Sequence, residues 1–245
     1  MILRLLVALF LLPVMPLSLW GQQDFRMETE VFQGSAKNPV ARHLLLYKDG
    51  LFYNFRQSET AEVTILDLKE SRLILVNVEK KIKSTVSTKY LENSMASIRT
   101  HMSSKVERSD WNSPTRLSVE KKTATEITLS NPSLTYEISG IRPLSEELAE
   151  KYRQFSDWHT RINAVQFQIA PFARYQLNDQ LAAEGLFPKQ IQRVEILPNN
   201  QKQIVRSTHL VDYKILSTDS KRISSANNYA ASFREMKLSE YLQQK

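Results

Sequence analysis

Alternating hydrophobic and polar residues dominate the first third of the chain and predict antiparallel β-strands. The alternation covers Phe25–Gln33, residues 40–47 and residues 51–57. The Lys48-Asp49-Gly50 tripeptide separates the last two runs. An Asp-Gly pair between two hydrophobic runs favours a tight hairpin, because glycine accepts the positive φ that such a turn needs. The sequence therefore predicts a β-hairpin at this tripeptide.

The pattern then continues as strands before its period changes to that of a helix. Residues 62–67 and 72–79 continue the strands, and the second run is predicted to extend toward Val86, because apolar residues recur at even spacing. From 88 to 108 the apolar residues recur every three or four positions, which predicts a helix with one apolar face. The members of this stripe are Leu91, Met95, Ile98, Met102 and Val106.

The rest of the chain predicts further strands, two more helices and a closing hairpin. Ser145 stands where its side chain can cap the first N–H groups of a helix, and Pro171 can open the next one. One face of the last strand carries Val205, Ser207, His209, Val211, Tyr213 and Ile215. The predicted strands are 115–122, 126–130, 134–139, 191–197 and 203–216, and the predicted helices are 145–167 and 171–185.

The N-terminal 21 residues have the pattern of a signal peptide. One basic residue, Arg4, precedes an apolar run that is too short to cross a bilayer, and the segment ends on Gly21, a small residue of the kind found at cleavage sites. We therefore expect residues 1–21 to be a signal peptide and the protein to be exported, to the periplasm or the extracellular space. The mature chain is expected to begin near Gln22.

The mature chain is expected to form a single domain with an additional tail. It holds few glycines and prolines and no flexible linker, which argues against two tethered domains. We expect one α+β domain over residues 22–216, with a curved, half-barrel-like antiparallel sheet and helices packed on one face. Residues 217–245 are expected to be a polar C-terminal tail with a short amphipathic end.

Charge and cysteine content narrow the function classes. The formal net charge is +7, and basic residues are densest between 69 and 108. Such an excess can attract an anionic membrane surface or an acidic polysaccharide, but a solubilising face is the favoured explanation, because the charges alternate with polar residues. Nucleic acid is not an expected partner, because no binding motif is present. The absence of cysteine removes thiol nucleophiles and thiolate metal ligands.

The sequence shows no catalytic signature, and we predict no catalytic residues, metal or cofactor. The histidines His43, His101, His159 and His209 are isolated from one another. His43 and His209 lie on predicted strands and can meet only across a sheet. No serine stands in a Gly-x-Ser-x-Gly turn, and no glycine-rich phosphate loop is present.

The candidate ligand-binding residues are the helical stripe and the aromatic residues of the early strands. Methionine adapts to irregular apolar ligands, and aromatic side chains can line a cavity. For the helical stripe, plain core packing against the sheet is the favoured explanation, and the aromatic side chains can also simply fill the space under the helix. The candidate lining residues are Leu91, Met95, Ile98, Met102, Tyr47, Phe52, Tyr53 and Phe55.

The order of predicted strands and helices between Phe25 and Leu216, together with the leader, resembles the LolA/LolB-type lipoprotein carriers of bacteria. The resemblance implies a half-barrel whose helices enclose an apolar hollow, with a lipid or acyl chain as the ligand. The extra helical segment 145–185 departs from a simple carrier.

Three functions are consistent with these patterns. The first is a non-enzymatic exported protein that binds an apolar or amphiphilic ligand at the cell envelope. The second is an envelope interaction or structural protein that binds a protein or polysaccharide partner. The third is a hydrolase whose site brings His43, His159 or His209 to an acid and a nucleophile. A deep apolar hollow favours the first, a filled core the second, and a polar cleft with a histidine the third.

Overall fold

Twelve β-strands and five α-helices make up the described part of the protein, for which we use a computed structural model. The structure describes residues 23–57, 61–103 and 116–244. The strands are β1 (Phe25–Gln33), β2 (Ala41–Lys48), β3 (Leu51–Arg56), β4 (Glu62–Asp67), β5 (Arg72–Asn77), β6 (Ile82–Ser87), β7 (Ser118–Lys121), β8 (Glu126–Ser130), β9 (Leu134–Ile141), β10 (Phe187–Ile196), β11 (Lys202–Asp212) and β12 (Arg234–Glu235). The helices are α1 (Thr88–Ser103), α2 (Glu146–Phe167), α3 (Phe172–Ala183), α4 (Ser217–Ser232) and α5 (Leu238–Gln243).

All twelve strands belong to one open sheet, with β1 near its middle. The order across the sheet is β12-β6-β5-β4-β3-β2-β1-β11-β10-β9-β8-β7. Neighbouring strands are antiparallel, except that β12 runs parallel to β6. β1 pairs on one side with β2, its neighbour in sequence, and on the other with β11, which comes from the far end of the chain. The α+β class and the antiparallel sheet that the sequence predicts are confirmed.

The hairpin predicted at Lys48-Asp49-Gly50 is confirmed. β2 and β3 pair directly across it, with Lys48 opposite Leu51. Asp49 has a φ of 52° and Gly50 a φ of 82°. Positive φ at both central positions is what a two-residue hairpin turn matching the strand twist requires. The turn therefore fixes which residues of β2 and β3 face each side of the sheet.

The strand predicted to extend from residue 72 toward Val86 is wrong, because this region forms two strands, β5 and β6, joined by a tight turn. Asn77 Oδ1 accepts a hydrogen bond from the Lys80 N–H at 2.9 Å, and Lys81 has a φ of 52°. The side chain of Asn77 thus reverses the chain without a glycine or a proline.

Helices cover both faces of the sheet, whereas the sequence predicted them on one face only. We call the face covered by α1, α2 and α3 the inner face. On the opposite, outer face, Ile223, Ala226 and Tyr229 of α4 pack with the core that contains Leu44 and Leu46. The reason lies in β2, where four consecutive residues, 44–47, are buried. A strand that is apolar on both sides needs a cover on both sides.

Residues 217–243, predicted as a polar tail with a short amphipathic end, instead form α4, β12 and α5 and pack against the sheet. Asp219 in the first turn of α4 is fully buried, and its Oδ2 accepts hydrogen bonds from Leu216 N–H and from Arg26 Nε at 3.0 and 3.1 Å. The ion pair between Asp219 and Arg26 joins α4 to the central strand.

The inner-face helices begin close to their predicted starts. Ser145 is the N-cap residue of α2, but the predicted capping by its side chain is wrong, because its hydroxyl donates to Gln23 Oε1 instead, at 3.4 Å. α1 is described as far as Ser103, so Val106 lies outside the described residues, as does the predicted signal peptide. Among the described helices, none is long and apolar enough to cross a membrane.

Candidate functional site

A cavity of about 610 Å³ lies between the inner face of the sheet and the helices α2 and α3. Its floor is formed mainly by β1, β2 and β9–β11, and residues 168–171, which link the two helices, contribute to its wall. Apolar lining comes from Met27, Leu45, Leu117, Tyr136, Tyr152, Phe155 and Phe172. Polar and charged lining comes from Thr29, His43, Asn54, His159, Asn163, Arg174, Arg193, Glu195, Ser207 and His209. The cavity is therefore amphiphilic.

The polar character of the floor originates in the register of the sheet. We use the name polar row for five residues that stand directly opposite one another on adjacent strands: Glu62, Arg56, His43, Thr29 and His209. The next inner-face row contains Leu45 and Met27, so the polar row interrupts an apolar surface. Arg56 and Glu62 form an ion pair at 3.5 Å, and the other three residues line the cavity.

His209 is held between two hydroxyl groups on the cavity floor. Its Nδ1 lies 3.0 Å from Thr29 Oγ1, and its Nε2 lies 2.9 Å from Ser207 Oγ. Burial, and secondarily the charges of Arg174 and His43, lower the pKa of His209 from its ordinary value of 6.5 to about 3. The ring is therefore neutral at physiological pH and offers one donor and one acceptor.

His43 is the neighbour of Thr29 on the other side and carries a buried ring nitrogen. Its Nδ1 has no hydrogen-bond partner among the described residues. Burial and the nearby Arg56 charge lower the pKa of His43, and Glu62 opposes them. A buried polar atom without a partner costs free energy, so a polar group of a ligand or a water molecule at this position is favourable.

Helix α2 places a third histidine over the polar row. His159 stacks on Phe155 with ring centroids 5.5 Å apart, and its ring centroid lies 6.5 Å from that of His43 at an interplanar angle of 77°. Asn54 on β3 and Asn163 on α2 lie 3.4 and 3.3 Å from the two nitrogens of His159. A second cavity of about 230 Å³ lies beside the first. His43, Asn54, His159 and Asn163 line both cavities and form the wall between them.

Two arginines line the larger cavity, and their surroundings differ. Arg193 forms an ion pair with Glu195. Arg174, on α3, donates from Nη2 to Ser156 Oγ at 3.3 Å and forms no ion pair with a carboxylate of the described residues. Its charge is close enough to Tyr152 to oppose the effect of burial, which raises the pKa of that phenol.

Three histidines thus meet at one cavity, but their positions do not form a metal site. Within residues 23–57, 61–103 and 116–244, no group of three or more histidine, aspartate or glutamate side chains is arranged to hold a metal ion. His43 and His209 meet on one face through their common neighbour Thr29, as their positions on predicted strands allowed.

The helical stripe proposed as cavity lining lies elsewhere on the inner face. Leu91 is fully buried, Met95 is buried and Ile98 is half-buried, and none of the three lines the cavity. Leu91 belongs to the inner-face core, and α1 contacts β6, whereas the cavity floor is formed mainly by β1, β2 and β9–β11. Met102 belongs to α1, but its side chain lies outside the described residues.

The four aromatic residues proposed as lining divide between the two faces, and none of them lines the cavity. Tyr47 and Phe52 belong to the inner-face core, where they pack against each other. Tyr53 and Phe55 pack on the outer face, toward α4. Successive side chains of a strand point to opposite faces, so Phe52 and Tyr53 cannot border the same cavity.

The residues that build the cavity carried a weak signal in the sequence. The alternation of the last strand already placed Ser207 and His209 on one face with Val205 and Val211. A histidine and a serine on a face that is otherwise apolar are the visible sign of a polar opening in a core. Arg174 gave no such sign, because arginine is common on exposed helix surfaces.

The chain matches no protein-family model, and no curated protein matches it significantly.

Proposed function

We propose that this protein binds an amphiphilic small molecule in the cavity between the sheet and the helices α2 and α3. The observation that carries the proposal is the cavity itself. Its volume of about 610 Å³ falls within the range of ligand pockets, roughly 300 to 1,000 Å³. Its lining combines apolar side chains with a few converging polar groups, which is typical of sites that bind small molecules.

Two further observations support the proposal. The unpartnered Nδ1 of His43 lies at the cavity and can bond a polar ligand atom. Phe167, the last residue of α2, is 53% exposed, and Ile169, in the connection between α2 and α3, is 58% exposed. An apolar margin beside a cavity suits a ligand with an acyl chain. A half-barrel carrier like the LolA/LolB type, export to the cell envelope and contact with an anionic membrane are consistent with this function and remain part of the proposal.

A titration with a fluorescent fatty acid tests the proposal. Ala170→Trp fills the cavity from the helix connection, whereas Ala96→Trp adds the same side chain to an exposed position of α1. We expect saturable binding to the wild type and to Ala96→Trp, and at least tenfold weaker binding to Ala170→Trp. Absence of saturable binding to the wild type contradicts the proposal and favours the interaction protein, which needs no cavity.

A hydrolase is a second candidate because Ser207 Oγ and His209 Nε2 lie 2.9 Å apart at the cavity. Two features make it the weaker one. The lowered pKa of His209 makes it a poor general base near neutral pH, and Thr29 occupies the position where a triad has a carboxylate. Hydrolysis of a nitrophenyl acyl ester that disappears in Ser207→Ala but persists in Ser118→Ala favours the hydrolase; equal rates in both variants contradict it.

A further inference from the structure

The charges around the cavity are unevenly compensated, and this imbalance indicates the class of ligand. Arg193 is neutralised by Glu195 within the lining. Arg174 contacts the hydroxyl of Ser156, and no described carboxylate pairs with it. The only other groups of the lining that can become cationic are histidines, and His209 is neutral at physiological pH. One positive charge is therefore uncompensated in the cavity.

The neighbours of Arg174 are arranged to accept or donate hydrogen bonds without neutralising it. Ser156 Oγ donates to Asn178 Oδ1 at 2.9 Å, which fixes the hydroxyl that Arg174 contacts. His209 is near enough to Arg174 for the charge to contribute to its lowered pKa. A guanidinium has five N–H donors, and the hydroxyls of Ser156 and Tyr152 beside Arg174 satisfy few of them. An anion placed here gains charge-assisted hydrogen bonds in a partly desolvated site.

Apolar surface continues from this point along the cavity. Tyr152, Phe155 and Phe172 line it from the two helices, and Met27 and Leu45 line it from the sheet. A ligand that fits both features has one anionic group and an apolar chain. Longer polar anions, such as nucleotides or oligosaccharide acids, would leave this apolar lining without a matching partner.

Resting on the function proposed above, we propose that Arg174 is the head-group subsite of the cavity and that the protein selects carboxylate-bearing amphiphiles, the fatty-acid class, over their uncharged analogues. In this arrangement the carboxylate accepts hydrogen bonds from the Arg174 guanidinium, and the alkyl chain lies against the aromatic lining. Arginine suits this role because its planar fork matches the two oxygens of a carboxylate.

Calorimetric titration of the intact chain with decanoate and with decanol separates charge recognition from burial of the alkyl chain, because the two probes differ only in the head group. We expect the wild type to bind decanoate at least tenfold more tightly than decanol. Arg174→Met is expected to lose this preference, since a charge-assisted bond is worth roughly ten- to hundredfold in affinity. Its affinity for decanol is expected to stay within about twofold of the wild-type value. Arg174→Lys keeps the charge but loses the planar fork. Its preference for decanoate over decanol is expected to lie between those of the wild type and Arg174→Met.

Lys151→Met is the matched control, because it removes one positive charge from α2 outside the cavity, where Lys151 has only a 3.9 Å pair with Glu147. It is expected to retain the wild-type preference. Equal affinity of the wild type for the two probes, or an unchanged preference in Arg174→Met, overturns the head-group subsite but leaves ligand binding intact. Failure of both probes to bind the wild type overturns the proposed function as well. If Arg174→Met does not fold, the wild-type ratio and Arg174→Lys decide the question.

Discussion

Two neighbouring regions of the inner face differ sharply in how completely they are filled. In the first, which we call the aromatic cluster, Phe25, Tyr47, Phe52, Phe155 and Phe187 pack with ring centroids 4.5 to 5.5 Å apart. The second is the cavity above the polar row, only a few residues farther along the same strands. Both regions are covered by α2, so the helix itself does not explain the difference.

The difference arises from the side chains that α2 and the sheet present to each other in the two regions. The first half of α2 contributes Tyr152 and Phe155, which pack against apolar strand residues on one side and border the cavity on the other. Its second half places His159 and Asn163 above the polar row, where polar groups must satisfy their hydrogen bonds at the expense of close packing. We infer that the aromatic cluster provides stability, whereas the cavity is the proposed binding site, and four predictions test this division.

The largest effect is expected from Phe25→Ala in the aromatic cluster. Phe25 is fully buried and contacts both Tyr47 and Phe187. Its truncation is expected to lower the free energy of unfolding by about 3 to 5 kcal/mol, because it removes a large buried side chain and leaves a cavity. Urea unfolding monitored by circular dichroism measures the change. A loss below about 1 kcal/mol would mean that the cluster can rearrange and is not the rigid region.

A smaller effect is expected from lowering the pH from 6.5 to 5. Between its ordinary pKa of 6.5 and its folded pKa of about 3, His209 is protonated in the unfolded chain and neutral in the folded one. Above pH 6.5 His209 is neutral in both states and does not reduce the free energy of unfolding. As the pH falls from 6.5 toward 3, the unfolded chain is stabilised by protonation and the free energy of unfolding decreases. The free energy of unfolding is expected to decrease by about 1.4 kcal/mol per pH unit in this window.

Unfolding between pH 6.5 and 5 tests this dependence in the wild type and in His209→Gln. The glutamine variant is expected to show a shallower slope without becoming independent of pH, because the pKa of His43 is also lowered. Identical slopes would show that His209 does not couple to folding.

Thr29→Val is expected to cost about 1 to 2 kcal/mol, because it removes the hydroxyl 3.0 Å from His209 Nδ1 and leaves a ring nitrogen without a partner. The shape of the side chain changes little. Thr29→Ser keeps the hydroxyl and serves as the control, with stability closer to that of the wild type. Thermal unfolding of the three proteins at pH 7 provides the comparison, and equal losses in both variants would point to strand propensity instead of the hydrogen bond.

The smallest change in stability is expected from Phe172→Ala at the wall of the cavity. Phe172 is half-buried and borders space that is already open, so truncation is expected to cost less than about 1 kcal/mol. Binding of a fluorescent fatty acid is expected to weaken severalfold, since apolar lining is lost. A loss of stability as large as that of Phe25→Ala would erase the distinction between the two regions.

Local patterns in the sequence predicted most elements well, but one pair of turns shows where they failed. The predicted strands end at residue 67 and resume at residue 72, and in the turn between them Asp67 Oδ1 accepts the Glu70 N–H at 3.1 Å. The turn after β5 uses Asn77 in the same way, followed by a residue with positive φ. It was missed because Val78 continued the apolar spacing and the turn itself holds neither glycine nor proline.

The candidate site required information that no local pattern carries. The sequence placed His43 and His209 on strands, but their convergence depends on β11 pairing with β1, a contact between distant parts of the chain. Tyr53 and Phe55 were predicted to line a cavity because they are aromatic. The packing of α4 shows that they belong to the core on the outer face. Export and the nature of the ligand stay predictions.

The central place of β1 has a consequence for how the chain acquires its structure. The second edge of β1 is closed by β11, where Arg26 stands opposite Asp212 in the register. Nearly the whole sequence must therefore be available before the sheet can be completed. Contacts between such distant residues make folding slow, because a long loop must be ordered first. Until then β1 presents an open edge that can pair with other chains. A nascent or truncated chain that ends before residue 202 is thus expected to aggregate or to depend on chaperones.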